Sequence, residues 1–150
     1  MVSRDDILGT WKITEGESRY LDGEIGSHPV GDNATGLILY NPDGYMSLEI
    51  MAERRKPFSA QDPFAATEEE HLLAYRSHLS YSGTFEVKDD RIIHYVQLSS
   101  YPNFIGEKIE RFVRLEGGAL YQTTEPFFMH GQSQIIHLVL RPVEALTFAV

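Results

Sequence analysis

The chain has 150 residues and a formal net charge of −9, with 13 Lys and Arg against 22 Asp and Glu. Because a nucleic-acid partner needs a basic surface, this acidity argues against nucleic-acid binding and against binding to an anionic membrane. The chain has no cysteine, which excludes disulfides and thiol chemistry. Hydrophobic residues make up 42% of the chain, enough for the core of a single domain, which we expect to span residues 1–150.

The N-terminal sequence MVSRDDILGTWKITEGE has no basic region followed by an apolar run. We therefore expect no signal peptide. No window approaches the length of apolar residues needed to span a bilayer, so no membrane segment is expected. Together with the absence of cysteine, these features predict a cytoplasmic protein.

Short turn signals divide the chain into segments of similar length. They are LDGE at 21–24, NPDG at 41–44, VKDDR at 87–91 and EGGA at 116–119. Connections this short join antiparallel neighbours, because a parallel crossover needs a dozen residues or more. The spacing of about ten residues per strand and turn is typical of an all-β sandwich or barrel.

The segments between the turns predict nine strands. We place them at 9–17, 19–25, 35–41, 45–52, 81–88, 91–99, 107–115, 118–125 and 133–141. Consecutive hairpins favour an up-and-down meander, and a meander of this many strands usually closes because closure removes exposed edges. The predicted fold is therefore all-β, an antiparallel up-and-down barrel of about 8–10 strands.

One segment has a different pattern. In DPFAATEEEHLLAYRSHLS, Thr67 is followed three residues later by Glu70, which is the signature of a capping box. Good helix formers follow, so we predict one helix at about 67–79, inserted between strands after a proline-bearing loop. The whole 53–79 segment is placed either to cover the mouth of the barrel as a lid or to pack at its closed end.

Several motifs occur in a characteristic order: LGTWKI, GLILYNPDGYMS, YSGTFEV and IIHYVQLSSYPNFIGEKIERFV. In this combination, over nearly the whole chain, the sequence resembles the lipocalin-like domain family of small barrels. The resemblance implies a calycin-type antiparallel barrel with an internal cavity. The family's strand histidine, Pro-Asn pair, glycine and arginine correspond to His94, Pro102, Asn103, Gly106 and Arg111. The family has no single accepted function, so the resemblance implies no activity.

Trp11 is the chain's one tryptophan, and it follows Gly9 in the first strand. In barrels of the lipocalin type such a tryptophan fills the closed end, and an arginine from the last strand can stack on it. Arg141, in LVLRPV, has the corresponding position in sequence, although the tryptophan of the family's C-terminal element is missing. We assign structural roles to Trp11 and Arg141, with a cation–π contact between them worth about 0.5–2 kcal/mol.

Alternation along two neighbouring strands places a histidine and an arginine on apolar faces. His94 shares a face with Ile92, Val96 and Leu98, and Arg111 shares one with Ile109, Val113 and Leu115. Buried groups of this kind need partners because their desolvation is costly. They therefore predict a polar spot in an apolar cavity, suited to a ligand carboxylate, enolate or carbonyl. The alternative is structural, with Arg111 paired to Glu110, Glu49 or Glu86 and His94 bonded to a tyrosine.

The predicted ligand-binding residues are Tyr40, Tyr81, Phe85, His94, Phe104, Arg111 and Gln122. Alternation does not decide whether Leu120, Gln122 and Thr124 or Tyr121 and Thr123 face the interior. No metal site is predicted, because His71 and His78 lie seven residues apart on the predicted helix, about 10.5 Å along its axis.

Three functions remain open. The first is binding of a small, largely apolar molecule, with His94 and Arg111 orienting its polar end. The second is an isomerase or cyclase acting on a small hydrophobic substrate, with His94 as general acid or base, Arg111 stabilising an oxyanion and Tyr81 donating a proton. The third is an interaction protein whose barrel is filled by its own aromatic residues. No cofactor is predicted, and a homodimer through an edge strand or exposed aromatic residues remains open.

Overall fold

Nine β-strands and two α-helices are found in residues 1–31 and 33–147, the part of the chain that this computed structural model describes. In chain order they are α1 (Arg4–Ile7), β1 (Gly9–Tyr20), β2 (Ala34–Tyr40), β3 (Tyr45–Ala52), α2 (Glu68–Arg76), β4 (His78–Lys88), β5 (Arg91–Ser99), β6 (Lys108–Glu116), β7 (Ala119–Thr124), β8 (Phe127–Met129) and β9 (Gln132–Pro142). A short 3₁₀ helix, Pro102–Phe104, lies between β5 and β6.

The strands form one closed antiparallel barrel. Strands β1 to β7 pair in sequence order, β7 pairs with β9, and β9 closes the barrel by pairing with β1 from Trp11↔Pro142 to Tyr20↔Gln134. Strand β8 pairs only with the beginning of β9, so it adds a ninth strand outside the eight-stranded barrel. The predicted up-and-down barrel with one inserted helix is confirmed.

Two hairpins show how the turns set this topology. Gly117 and Gly118 have positive φ values of 59° and 79° and connect β6 to β7. His130 and Gly131, with φ values of 51° and 82°, connect β8 to β9 in the same way. Two successive residues with positive φ are the requirement of a type I′ turn. Strand β8 was not predicted, because His-Gly lacks the Asn-Gly or Asp-Gly signal that usually marks such a turn.

The predicted second strand at 19–25 is wrong. Strand β1 continues to Tyr20 because β9 supplies hydrogen-bond partners along its whole length. After Tyr20 the chain turns, with the Gly23 amide donating to the Tyr20 carbonyl at 2.9 Å. Only an isolated bridge between Arg19 and Ile25 remains of the predicted strand.

Helix α2 is shorter than the predicted 67–79. The capping box is present: the side chain of Thr67 accepts a hydrogen bond from the Glu70 amide, and the Glu70 carboxylate accepts one from the Thr67 amide. The helix ends at Arg76 because His78 already pairs with Met51 as the first residue of β4. No helix within the described residues is both long and apolar enough to cross a membrane.

Helix α1 and Trp11 fill one end of the barrel. Ser3 forms a capping box with Asp6, which fixes the start of α1. Ile7, at the end of α1, is fully buried, and its carbonyl accepts a hydrogen bond of 2.8 Å from Trp11 Nε1. The indole is therefore buried with its polar N–H satisfied.

The predicted contact between Arg141 and Trp11 is absent. Arg141 pairs with Lys12 across β1 and β9, and both side chains lie on the exposed outer face. Trp11 lies on the opposite, inner face, because neighbouring residues of a strand alternate. The guanidinium of Arg4 instead lies 5.6 Å from the centre of the Phe85 ring, so α1 supplies the arginine that contacts an aromatic ring of the core.

A bulge between β4 and β5 interrupts the alternation of β5. Ser82 pairs with Leu98 and Gly83 with Val96, so Gln97 is an extra residue without a partner on β4. The extra residue shifts the side chains that follow it to the opposite face of the strand. Leu98 is consequently 69% exposed and does not share the inner face with His94, contrary to the prediction.

We expect Gly83→Ala to lower the free energy of unfolding by about 1–3 kcal/mol. A Cβ atom on Gly83 would lie 1.8 Å from the backbone oxygen of Tyr95. Relief would require a backbone shift in two paired strands. Chemical denaturation measures the effect, and Thr84→Ala, the next position on β4, is the control. A Gly83→Ala protein as stable as the control would contradict this close approach of the strands.

Candidate functional site

A set of hydrogen-bonded polar side chains crosses the barrel interior. The imidazole of His94 lies between two phenols, with Nε2 at 2.7 Å from the Tyr40 hydroxyl and Nδ1 at 2.6 Å from the Tyr81 hydroxyl. Gln122 Nε2 donates to the Tyr40 oxygen at 3.0 Å, and Arg111 Nη2 donates to the Tyr81 oxygen at 3.3 Å. We call these five side chains the interior cluster.

Sheet geometry brings the interior cluster together. Tyr40 ends β2 and Tyr81 lies on β4, while His94, Arg111 and Gln122 come from the consecutive strands β5, β6 and β7. Each of the five is at a buried position of its strand. Strand alternation therefore directs all five into the interior at neighbouring levels of the barrel.

The structure resolves which face of β7 is inside. Leu120, Gln122 and Thr124 are buried, whereas Tyr121 lies on the outer face. There the guanidinium of Arg114 lies 3.9 Å from the centre of the Tyr121 ring. The predicted site residue Gln122 is accordingly an interior residue.

His94 is held in its neutral form. Burial lowers its pKa well below 6.5, and the positive charge of Arg111 lowers it further. Burial also raises the pKa of Tyr40, against a smaller lowering by its hydrogen bond from Gln122. Both shifts have the same physical cause, since a charged form loses its hydration in an apolar interior.

The protons of the cluster do not all find acceptors within it. A neutral imidazole has one N–H donor and one acceptor nitrogen. Tyr40, Tyr81 and His94 together carry three such protons, but only two contacts join them. The phenol that accepts from His94 therefore keeps its own proton free. With His94 protonated at Nδ1, this is the proton of Tyr81, next to Arg111.

Arg111 is buried without a counter-ion. Its side chain is 7% exposed, and its Nε is a buried donor that has no partner among the described residues. The ion pairs found in the described residues do not include Arg111. Glu110 pairs with Arg91 and Lys108, and Glu86 accepts a hydrogen bond from Tyr95. The structural alternative considered from sequence paired Arg111 with a glutamate and His94 with a tyrosine. Among the described residues the contact of His94 with tyrosine is present, whereas no ion pair joins Arg111 to a glutamate.

A cavity of about 370 Å³ lies next to Arg111. This volume is in the range of small-molecule sites. Its inner wall has apolar and weakly polar side chains beside the guanidinium, among them Leu79, Phe104, Ile109, Thr124, Phe127 and Ile136. A second space of about 260 Å³ adjoins it and shares Pro29, Leu79, Tyr101, Phe104 and Phe127 with the first.

The predicted site residues fall into two groups. Arg111 and Phe104 line the cavity. The others lie deeper in the barrel and are not part of its wall: Tyr40, Tyr81, Phe85, His94 and Gln122. Phe85 packs edge-on against Tyr40 with ring centres 4.9 Å apart, and Tyr81 meets Phe104 in the same way at 6.0 Å. The other members of the interior cluster therefore contact Arg111 through the Tyr81 hydroxyl.

Several cavity residues were missed in the sequence. Phe127 belongs to the unpredicted strand β8, and Pro29 lies in the loop between β1 and β2. Thr124 and Ile136 face each other across β7 and β9, with the Ile136 amide donating to Thr124 Oγ1 at 3.0 Å. Ile136 could have been predicted as an interior residue from the alternation along β9. No pattern in the neighbouring sequence predicts that Pro29 lines the cavity.

Of the 53–79 segment, Leu79 lines both spaces, whereas the residues of α2 that border them line the smaller space. Tyr75 and Arg76, at the end of α2, line the adjoining space together with His78 of β4. The main cavity is bordered instead by residues 101–111 and 124–127, by Pro29 and by Leu79 of β4. Helix α2 therefore contributes no residue to the wall of the main cavity.

The histidines considered for metal binding are separated. His71 lies on α2 with its ring 5.5 Å from that of Phe58, whereas His78 is in β4 and not on the helix. Within residues 1–31 and 33–147, no three or more His, Asp or Glu side chains are grouped closely enough to hold a metal ion.

Comparison with known proteins identifies the family. The model of the lipocalin-like domain matches residues 8–140. The chain belongs to the lipocalin-like domain family. It is also 36% identical over 111 residues, which cover 68% of this chain and 100% of the relative, to the 4'-hydroxy-3'-methoxypropiophenone carrier protein ppsC of Aspergillus oryzae (strain ATCC 42149 / RIB 40).

Two crystal structures also align with this lipocalin-like chain. A lipocalin-like protein from Bacteroides uniformis ATCC 8492 matches with a TM-score of 0.46 and 13% identity, covering 92% of this chain and 99% of that one. An uncharacterized protein from Bacteroides eggerthii DSM 20697 matches with a TM-score of 0.44 and 15% identity, covering 91% and 98%.

Proposed function

We propose that this lipocalin-like protein binds a small, largely apolar molecule in the cavity beside Arg111. The observation that supports it best is a cavity of about 370 Å³ with largely apolar walls and a buried, incompletely hydrogen-bonded guanidinium at its inner end. Ligand sites usually combine such walls with a few polar groups that fix orientation. Arg111 is the group that orients the polar end of the ligand.

The carrier relative suggests the chemical class of the ligand. Its name describes an aromatic ketone with a phenol and a methoxy group. A ring of this kind can pack against Phe104 and Phe127, which both line the cavity and contact each other with ring centres 5.7 Å apart. Its oxygen atoms are hydrogen-bond acceptors, which suits the Arg111 guanidinium on the cavity wall.

Catalysis by His94 has less support than binding. A general base must reach the proton it removes, directly or through one water. Both ring nitrogens of His94 are instead within 2.7 Å of a tyrosine hydroxyl, and the residue is fully buried and is not part of the cavity wall. We therefore assign His94 the role of positioning Tyr81, which in turn holds Arg111, and we propose binding without turnover.

Calorimetric titration with 4'-hydroxy-3'-methoxypropiophenone tests the proposal. We expect one molecule per chain and a Kd of about 1–100 µM, since a ligand of this size can gain about 5.5–8 kcal/mol in an apolar cavity. Chromatography of the released ligand after long incubation should recover it unchanged. Conversion into an isomer or cyclised product would favour the enzyme alternative.

A matched pair of variants locates the binding site. Ile136→Trp would fill the cavity, whereas Ile135→Trp places the same side chain on the outer face of β9. We expect the first to weaken binding at least about tenfold and the second to leave it within about twofold. Equal affinity of the two folded variants would contradict the proposed location.

A further inference from the structure

The charge of Arg111 is not compensated inside the barrel. No described carboxylate forms an ion pair with it, and its one hydrogen bond runs to the oxygen of Tyr81 at 3.3 Å. A buried charge is costly unless it is paired and hydrogen-bonded. The position beside Arg111 on the cavity wall is therefore where a ligand can offset this charge.

The other groups facing this position are donors or neutral. Below Arg111 lie the phenol of Tyr81 and the neutral imidazole of His94. Thr124, on β7, accepts from the Ile136 amide and so has its own hydroxyl proton to donate. A neutral ligand acceptor would satisfy a hydrogen bond here but would leave the positive charge unpaired.

The acidic groups lie at the outer rim. Glu107 and Glu125 border the cavity but are exposed, so water and salt screen their effect on a ligand. Glu110 and Lys108 also border it and pair with each other at 3.2 Å. Tyr101, half-buried, is the remaining titratable side chain of the wall.

Building on the proposed function, we infer that the bound oxygen is an oxyanion and that the protein selects the ionised form of an acidic aromatic ligand. The ligand's proton goes to solvent on binding, and the guanidinium of Arg111 stays protonated. Phenols acidified by a conjugated carbonyl group and aromatic carboxylic acids share this chemistry. The oxyanion also accepts a hydrogen bond from the hydroxyl of Thr124, which lines the cavity.

Absorption spectra of the bound ligand test this inference without any mutation. An acyl phenol absorbs at longer wavelength as phenolate than as phenol. We expect the pKa of bound 4'-hydroxy-3'-methoxypropiophenone to be lower than that of the free compound by one unit or more, which is a preference of at least about tenfold for the anion. The methyl ether 3',4'-dimethoxypropiophenone, which cannot ionise, should bind at least about tenfold more weakly above the pKa of the phenol.

A second pair of probes covers the carboxylate class. The 2-naphthoate anion and 2-acetonaphthone have nearly the same shape, but only the first is charged at neutral pH. We expect 2-naphthoate to bind at least about tenfold more tightly if the site accepts aromatic carboxylates as well as phenolates. Preference for the phenolate alone would narrow the class to acidic phenols and would still support an oxyanion.

Variants of Arg111 complete the test. Arg111→Gln should abolish the spectral shift and the preference for either anion, whereas Arg114→Gln, on the outer face of the same strand, should change neither. Bound phenol with an unshifted pKa, together with equal affinity for the charged and neutral probes, would overturn the inference while leaving the proposed function intact. No binding of any of the four probes would overturn both.

Discussion

Replacing His94 with leucine should lower the free energy of unfolding by about 2–6 kcal/mol. The imidazole is the shared hydrogen-bond partner of Tyr40 and Tyr81, both of which are almost fully buried. Leucine would leave two phenol groups short of a partner, and a buried group left unsatisfied costs about 1–3 kcal/mol. Urea denaturation measures the loss, and Tyr95→Phe, which removes an exposed hydroxyl from the same strand, is the control.

A triple variant separates this cause from simple loss of packing. Adding Tyr40→Phe and Gln122→Leu to His94→Leu removes one of the two unsatisfied hydroxyl groups together with the amide that donates to it. Because deleting both partners of a hydrogen bond is nearly neutral, we expect the triple variant to be more stable than His94→Leu alone by up to about 2 kcal/mol. If these two substitutions destabilise the His94→Leu protein further, the hydrogen bonds of His94 are not what stabilises the interior.

Acidification should destabilise the fold through the same residue. The folded state holds the pKa of His94 well below 6.5, by burial first and by the charge of Arg111 second. The unfolded chain therefore binds a proton on His94 at a higher pH than the folded chain does. This contribution is fully present above about pH 6.5 and is lost as the pH falls below it, at about 1.4 kcal/mol per pH unit.

The loss should grow steadily as the pH falls below about 6.5, for as long as His94 in the folded state stays unprotonated. Other groups titrate there as well, so the relevant quantity is the difference between wild type and His94→Leu in the slope of unfolding free energy against pH. In the His94→Leu variant this slope should lack the contribution of the one proton that the unfolded wild-type chain binds at His94. Identical slopes for the two proteins would show that the imidazole titrates alike in the folded and unfolded chains.

The barrel was predictable because its turns are coded locally. Gly117 and Gly118 mark a two-residue hairpin, and Thr67 with Glu70 marks the start of α2, so both features can be identified from a few adjacent residues. The bulge at Gln97 could not be identified in this way. It depends on the register between β4 and β5, where Gly83 approaches the Tyr95 carbonyl, and no property of Gln97 itself signals it.

The site was only partly predictable for a related reason. Alternation is a property of a single strand, and it placed His94 and Arg111 inside from sequence alone. Whether a side chain lines the cavity depends on its level along the barrel axis and on what packs above it. His94 lies below the cavity and Arg111 on its wall, although they come from neighbouring strands. The position of Phe127 depends on β8, which forms only because β9 extends beyond β7.

A crystal structure of the protein with 4'-hydroxy-3'-methoxypropiophenone would test the central claim most directly. The account predicts the ring packed against Phe104 and Phe127 in the cavity, with one ligand oxygen within hydrogen-bonding distance of the Arg111 guanidinium and the contacts of His94 to Tyr40 and Tyr81 unchanged. A ligand bound elsewhere on the surface, or Arg111 turned away from the cavity to pair with a carboxylate of the chain, would contradict it.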